Sequence, residues 1–307
     1  MAERADAALP SRARQGRGAR AAALARRLAA MPMRDPFACA GLTIYALFVL
    51  VALSAPLLAS NPPLEIVFTK AGRLAANLPP SAEFPLGTTN LGRDIYAQLV
   101  FGTRSALAVG LSAAIVVASV GTIVGLIAGY FGGALDTVLM RIADMALSLP
   151  FLPFVVVLTG FLGASTWNIV LAVALLLWPN SARVIRSQVL SVRERTYIEA
   201  ARVTGARPWR ILFVHVAPNI LPLSFVYGAI AIGWAIITEA GISFLGFGDS
   251  TAVSWGSMLQ DAFSSQALSR GQYHWFVPPG ICIMLIVVAG FFISRGYEEV
   301  FIPKLRD

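Results

Sequence analysis

The chain has 307 residues, of which 57% are hydrophobic and only 13% are charged, and its mean hydropathy is +0.72. Soluble domains carry roughly 25% charged residues, so this chain lacks the ionic surface to cover one or two soluble globules. The composition excludes a soluble enzyme and a disordered protein, and it predicts a membrane protein. Cys39 and Cys282 lie far apart in apolar runs, which gives no disulfide framework and no paired metal-ligand spacing.

Apolar runs long enough to cross a bilayer recur along the chain. A helix needs about 20 apolar residues to cross roughly 30 Å of hydrocarbon. The first run begins after 36 residues and is too long for a signal-peptide core, so it predicts a retained anchor helix. The third and fourth runs predict an antiparallel hairpin with its tip at 163–166. The sequence therefore predicts an all-α integral membrane protein with six transmembrane helices, at 37–59, 104–130, 145–163, 167–186, 211–238 and 276–294.

The distribution of basic residues predicts the orientation of these spans. Lysine and arginine are retained on the cytoplasmic side during insertion. With both termini cytoplasmic, 19 of the 24 basic residues lie inside and 5 outside. This topology explains the net charge of +8, which removes most of the support for a nucleic-acid-binding protein. Residues 1–36 form a basic cytoplasmic tail, in which 19–30 are either a short helix against anionic lipid or disordered.

The cytoplasmic loop at 187–210 has the most informative pattern. Its first part, over 192–204, is compatible with an amphipathic helix. Gly205 follows where a left-handed helix stop is expected, and Pro208 suits the first turn of a second helix. Trp209 is placed to anchor at the membrane interface. The pattern predicts two helices joined by a glycine turn, displayed to another protein.

The same loop carries a family motif. Glu199-Ala200-Ala201 is followed after three residues by Gly205 and after nine more by His215-Val216-Ala217-Pro218. This resembles the EAA loop of permease subunits of binding-protein-dependent ABC importers, although Ala217 replaces a frequent leucine. In that family the loop is a coupling helix that docks on the ATPase subunit, and the resemblance assigns this role to roughly 193–208. The residues implied are Arg195, Glu199, Ala200, Ala201, Arg202 and Gly205.

Further segments are similar to the dipeptide/oligopeptide/nickel branch of that family, C-type subunit. They are PLGTTNLGRDIYAQLVFGTRSAL at 85–107, EAGISFLGFG at 239–248, SWGSML at 254–259 and YHWFVPPG at 273–280. Thr89, Gly241 and the missing proline before Ser254 depart from the pattern. The resemblance implies the type I ABC importer permease fold, with a core domain over 104–307. It also implies that the extracytoplasmic loops 60–103 and 239–275 face a solute-binding protein, through Gly87, Asn90, Gly92, Arg93, Asp94, Ser254, Trp255 and Gly256.

The partners follow from the resemblance and from one missing motif. Neither Lys70 nor Lys304 follows a GxxxxG, so the chain has no phosphate-binding P-loop. ATP and Mg are therefore expected on partner ATPase subunits, with no cofactor and no catalytic residue on this chain. His215 and His274 lack other ligands at suitable spacing, so no metal site is predicted. The expected complex contains a second homologous permease, two ATPases and an extracytoplasmic solute-binding protein, in the inner membrane. Di- or oligopeptides are the first cargo expected, followed by nickel chelates and oligosaccharides.

Glycines at 121, 125, 129 and 133 recur every four residues and predict a helix-packing contact, with a neighbour in this chain or in a partner. Asp144 and Glu239 are the ionisable residues closest to the apolar core, and interfacial positions are favoured over a proton relay.

Two other classes of membrane protein fit the sequence less well. An ion-coupled secondary carrier is expected to show intramembrane carboxylates or inverted repeats, and neither is clear. An intramembrane enzyme would need a nucleophile and base or a metal pair in the spans, and no such pattern is present.

Overall fold

The computed structural model describes residues 35–301, with side chains to residue 296. The predicted basic tail, apart from its last two residues, and Lys304 lie outside the described residues. Within 35–301 the regular structure is helical, and β pairing is limited to two isolated bridges, Phe68 with Leu74 and Thr88 with Asp94. The helices are α1 Pro36–Leu58, α2 Ile95–Phe131, α3 Gly133–Ser148, α4 Phe151–Leu162, α5 Thr166–Arg193, α6 Thr196–Val203, α7 Pro208–Ile211, α8 Ala217–Phe244, α9 Trp255–Ser264 and α10 Tyr273–Phe301, with a π-helical turn at Leu212–Val216 between α7 and α8.

Five helical segments are long and apolar enough to cross a membrane, and α3 with α4 supplies a sixth crossing if the bent pair is one span. The all-α, multi-span fold is therefore confirmed. The third predicted span, 145–163, is not one straight helix, because α3 and α4 meet at 89°. Leu149 and Pro150 are extended at the bend. Pro150 has no N–H, so the Ala146 carbonyl cannot form its i+4 helix bond, and the helix breaks there.

Close contacts at small residues give the relative directions of the helices. Gly121, Gly125 and Gly129 of α2 meet successively later residues of α5, so these two helices run parallel. α2 is antiparallel to α8, because Gly110 lies against Ile236, whereas Thr122 donates a hydrogen bond to Ser224 over 2.7 Å. α10 is antiparallel to α8, because Gly233 lies against Val287 and Gly290 lies against Ala229. α1 is antiparallel to α10, because Gly41 lies against Ala289 and Ile293, whereas Gly296 lies against Ala38. The start of α1 and the far part of α10 thus lie with the start of α8, at the end of the bundle that carries α6, called the α6 end below. The opposite end carries α9 and is called the α9 end.

The outer helices leave broad apolar surfaces uncovered. In α1, Leu53 is 75% exposed and Leu57 is 89% exposed. Leucines at such exposure are unfavourable in water but suit contact with lipid acyl chains. The central helix α2 instead buries residues along most of its length, including Ile95, Val109 and Val117. The bundle therefore has a protein-packed centre and a lipid-compatible periphery.

Candidate functional site

Residues 187–210 form a helix break followed by a short exposed helix. α5 and α6 are separate helices, so the single helix predicted over 192–204 is wrong. The break lies at Glu194 and Arg195, where Arg195 has extended backbone angles (φ −76°, ψ 143°) and serves as the N-cap of α6. The Arg195 N–H donates to the Val192 carbonyl over 3.2 Å, which closes a turn. The break lets α6 pack on the bundle independently of the α5 axis.

α6 ends in the glycine turn that the sequence predicts. Gly205 has φ +76°, in the left-handed region that favours glycine. The Ala206 N–H donates to the Ala201 carbonyl (3.1 Å), and the Gly205 N–H donates to the Arg202 carbonyl (2.9 Å). This pair of bonds is a Schellman motif. Pro208 then occupies the first position of α7, where its missing N–H costs nothing.

One face of α6 is fixed to the bundle and the other is free. Ile198 is fully buried, in a cluster with Ile211, Leu212 and Val216. A single fully buried anchor in an eight-residue helix leaves the remaining surface available to a partner. Of the predicted coupling residues, Ala201 is half-buried, and the exposed ones are Arg195, Glu199, Ala200, Arg202 and Gly205.

The exposed face of α6 combines unpaired charges with apolar groups. Glu199, Arg195 and Arg202 form no ion pair within the described residues. Val203 is 88% exposed and Tyr197 is 42% exposed on the same short helix. Charged groups without partners beside exposed apolar side chains are the features of a protein-docking surface.

Aromatic residues lie beside α6, at the α6 end of the bundle. Trp209 stacks on Phe213, with ring centroids 5.9 Å apart, and contacts Phe131 at 4.9 Å. Trp209 is 53% exposed and Phe213 is 60% exposed. Exposed tryptophan and phenylalanine at the end of spans are typical of the membrane–water interface, which agrees with the anchor position predicted for Trp209.

Charged side chains connect α5 to its neighbours just before the break. Arg193 donates to the Gly129 carbonyl of α2 over 3.0 Å. Arg186 forms a bidentate pair with Asp136 of α3, in which Nη2 and Oδ2 are 2.6 Å apart. Bidentate arginine–carboxylate pairs fix geometry as well as distance. These contacts hold the last turns of α5, just before the break, to α2 and α3.

Asp144 is also paired across the α3–α5 contact. Its partner is Arg183, and both side chains are about half exposed, at 47% and 48%. This pairing accounts for a carboxylate in an otherwise apolar segment, because a paired charge is far less costly there than a lone one. Glu239 is instead 5% exposed near the end of α8, and accepts a hydrogen bond from Ser243 over 2.6 Å. Glu239 is therefore buried in protein, near the end of the span.

At the α9 end, most residues predicted to face a binding protein are turned inward. Asp94 is 4% exposed, caps α2 by accepting from the Tyr96 N–H (2.9 Å), and accepts from the Asn61 amide (3.0 Å). These bonds show that Asp94 holds the loop before α2 to the helix. Only Asn90 is exposed and Arg93 is half-buried, whereas the buried ones are Gly87, Gly92, Asp94, Ser254, Trp255 and Gly256.

The second loop motif at this end is a structural clamp. Ser254 caps α9 in a reciprocal capping box with Ser257. Trp255 is 1% exposed, and its indole Nε1–H donates to the Leu99 carbonyl of α2 over 3.1 Å. A Cβ at Gly102 would lie 2.8 Å from the Trp255 ring, so that glycine is needed for the close approach. The motif holds α9 against α2.

Asp249 fastens the loop after α8 to the start of α5. Its carboxylate accepts from the Thr166 N–H (3.1 Å) and hydroxyl (3.0 Å), and from the N–H (2.9 Å) and hydroxyl (2.6 Å) of Thr251. Burial acts to raise the pKa of Asp249, but the bonds from Thr251 and Thr166 outweigh it and hold the pKa below its usual value. This carboxylate is the link between two spans at the α9 end.

The glycine repeat in α2 packs mainly against α5 of the same chain. A Cβ at Gly121, Gly125 or Gly129 would come within 2.7 Å of α5 atoms, too close for any side chain. Gly133 does not belong to this contact, because it starts α3 at φ +60° and a Cβ there would meet nothing within 4 Å. The backbones of α2 and α5 can therefore touch, and the parallel pair forms the centre of the bundle.

A cavity of 450 Å³ lies beside the bend between α3 and α4. Leu149 and Phe151 line it at the bend, and Asn180 of α5 and Tyr227 of α8 are among its polar residues. From the sequence, prolines such as Pro150 and Pro179 can kink spans and border a transport path or simply occur in packed helices, but Asn180, next to Pro179, was not recognised as part of a site. Separately, no group of three or more His, Cys, Asp or Glu in the described part of the chain could hold a metal ion.

Comparison with known proteins identifies the family. Residues 121–307 match the family described as "Binding-protein-dependent transport system inner membrane component". A dipeptide transport system permease protein of Alkalihalophilus pseudofirmus is 36% identical over 276 residues, covering 89% of this chain and 88% of that protein. An oligopeptide transport system permease protein of Bacillus subtilis is 35% identical over 275 residues, covering 89% and 87%. A glutathione transport system permease protein of Pectobacterium atrosepticum is 36% identical over 229 residues, covering 74% and 75%.

The chain belongs to this permease family. It is a multi-pass inner-membrane permease subunit of an ABC importer and not itself an enzyme, because ATP hydrolysis resides on separate subunits. Family membership implies ATPase and binding-protein partners. In the described part of the chain, the permease displays the short exposed helix α6 at one end of the bundle and has an open cavity beside the bend between α3 and α4.

Proposed function

We propose that this permease imports di- or oligopeptides and is driven by ATPase subunits that dock on α6. The peptide cargo is supported by the names of the dipeptide and oligopeptide relatives, which match the chain over almost nine-tenths of its length. The single observation that carries the coupling proposal is the exposed, unpaired face of α6. A relative named for glutathione, which is a tripeptide, agrees with a peptide cargo. Nickel chelates and oligosaccharides, which the sequence resemblance leaves open, are the alternatives to be tested.

The geometry of α6 supports a docking role. Ile198 anchors the helix to the bundle, while Glu199, Ala200 and Arg202 face outward. The small Ala200 side chain allows a partner to approach the helix closely, and Glu199 offers a fixed charge for recognition. ATP-driven closure of the ATPase pair would move α6, and the polar contacts of α5 with α2 and α3 would carry that motion into the spans.

The proposed complex contains this permease, a second homologous permease, two ATPases and a solute-binding protein. α6 and the start of α1 share one end of the bundle, which would face the cytoplasm. The α9 end would then receive cargo from the binding protein. Because Asp94 and Trp255 hold the loops there in a fixed arrangement, we infer that docking uses Asn90, the exposed residue of the predicted set, and its exposed neighbour Leu91.

Uptake by the reconstituted complex tests this proposal. Proteoliposomes containing the whole complex are loaded with ATP and given a labelled tripeptide with the binding protein outside. We expect ATP-dependent accumulation, and we expect Glu199→Lys to lower the uptake rate at least about tenfold, the effect of placing a like charge at a docking contact. Glu194→Lys makes the same charge change at the break and should retain at least half of the rate. Uptake at the normal rate by Glu199→Lys would refute the docking role, and no peptide uptake by the wild type would refute the cargo.

A further inference from the structure

The mid-bundle cavity lies at the depth where cargo would have to pass. Asn180 is 14 residues beyond the first residue of α5 and 13 before the last. At 1.5 Å per residue it is about 20 Å from either end of that helix, and it therefore lies in the middle part of the bundle. Tyr227 and Trp234 approach the same cavity from the middle of α8.

A few unsatisfied polar groups lie in the otherwise mostly apolar lining of this cavity. The exposed Asn180 amide forms no hydrogen bond within the described residues, and the Ser181 hydroxyl is 2% exposed and also without a partner. At the bend, Pro150 leaves the Ala146 carbonyl without its helix donor. Polar groups that face hydrocarbon cost several kcal/mol each, so broken transmembrane helices occur only against protein or a water-filled cavity. These polar groups therefore favour water over lipid in the cavity.

The lining of the cavity carries no charge. Its residues include no Asp, Glu, Lys, Arg or His in the part of the chain that the structure describes. The nearby charged side chains on α3 and α5, Asp144 and Arg183, neutralise each other in an ion pair. The remaining polar atoms are an amide, hydroxyls and an indole N–H. An asparagine amide both donates and accepts, as a peptide bond does.

We propose that this cavity is the permease's share of the translocation path, and that it contacts the backbone of a passing peptide through Asn180 and Tyr227 without reading the charge of its side chains. The identity of the cargo in this inference rests on the proposed function, whereas the location of the path does not. A neutral lining suits an importer whose cargo varies in charge, because a fixed charge at this depth would bind one class of peptide tightly and repel the other.

Thiol labelling tests the location. In the assembled complex, Asn180→Cys is introduced into a chain that already carries Cys39→Ala and Cys282→Ala. A charged methanethiosulfonate reagent is then added to three separate states of the complex: without nucleotide, with ATP and the binding protein, and with vanadate. We expect Asn180→Cys to react at least about tenfold faster than Leu175→Cys in one of these states, since Leu175 lies on another face of α5 and is 47% exposed outside the cavity. Equal rates, or no reaction in any state, would overturn the assignment. This result does not depend on which cargo the complex carries.

Charge selectivity tests the contact with cargo. Uptake of a lysine-containing tripeptide is compared with that of a glutamate-containing one of equal length. The wild type and Asn180→Gln should give the same ratio of rates, whereas Asn180→Asp should shift the ratio about tenfold toward the lysine peptide, because a carboxylate beside the cargo attracts the lysine side chain and repels the glutamate side chain. An unchanged ratio in Asn180→Asp would overturn the contact while leaving the importer function intact. A wild type that imports neither peptide would instead refute the proposed cargo.

Discussion

Ile198 is the side chain that fixes α6 to the bundle, and Ile198→Ala should loosen this helix selectively. The substitution removes three carbon atoms from a site with no exposed surface. At about 0.8 kcal/mol per buried CH₂ this loses ~2.4 kcal/mol, and the remaining cavity brings the total cost to about 3–4 kcal/mol. Because about 1.4 kcal/mol corresponds to a factor of ten, the amides of α6 should exchange with solvent about 140- to 700-fold faster.

Hydrogen exchange with mass spectrometry on the purified complex measures this effect on the peptide that covers 196–203. Val203→Ala is the matched control on the same helix, because Val203 is 88% exposed and its truncation should change the local free energy by no more than about 0.5 kcal/mol. ATP-coupled uptake should fall with Ile198→Ala, since a detached helix cannot transmit force. If Ile198→Ala exchanged no faster than Val203→Ala, the anchoring role of Ile198 would be wrong.

Three further substitutions test the packing, the turn and the α9 end. Gly125→Ala would place a Cβ 2.7 Å from Ile185, so it should lower the free energy of unfolding by about 1–3 kcal/mol. Gly160→Ala is the control and should leave the free energy of unfolding unchanged, because a Cβ at Gly160 meets nothing within 4 Å. Gly205→Val should disorder the end of α6 at φ +76° and reduce uptake with normal membrane insertion, as proteolysis and uptake together would report. Asp249 has a pKa below its unfolded value, so its contribution to stability is present above about pH 4 and is lost as the pH falls through the lower folded pKa. Between about pH 5 and pH 3 the melting temperature of the wild type should therefore fall further than that of Asp249→Asn; equal decreases would contradict the role of this carboxylate.

The spans could be predicted from the sequence because the bilayer sets their length and requires apolar residues, and both features are visible in the sequence alone. It did not predict the 89° bend, although Pro150 was visible. Proline is tolerated in continuous transmembrane helices when neighbours satisfy the freed carbonyl, so the residue alone does not locate a break. The end of α6 at Gly205 was predictable, since a left-handed stop depends on local backbone geometry.

The sequence motifs at the α9 end indicated the protein family, but they did not show which of their residues are exposed and which are buried. Asp94 and Trp255 were predicted to face a partner, but they hold loops to α2 from buried positions. A one-dimensional pattern does not distinguish a residue needed for contact from one needed for the shape that presents the contact. Asn180 was missed for a related reason, because its importance comes from α3, α4 and α8, which only the fold brings to the same cavity.

Cross-linking from α6 shows whether this helix docks on an ATPase subunit. In the complex without native cysteines, Ala200→Cys on the exposed face of α6 is coupled to a short photoactivatable reagent, and Leu53→Cys on the exposed face of α1 serves as the control. We expect a covalent adduct between position 200 and an ATPase subunit, with none from position 53. Adducts of position 200 only with lipid, or equal yields from the two positions, would show that α6 is not the docking helix.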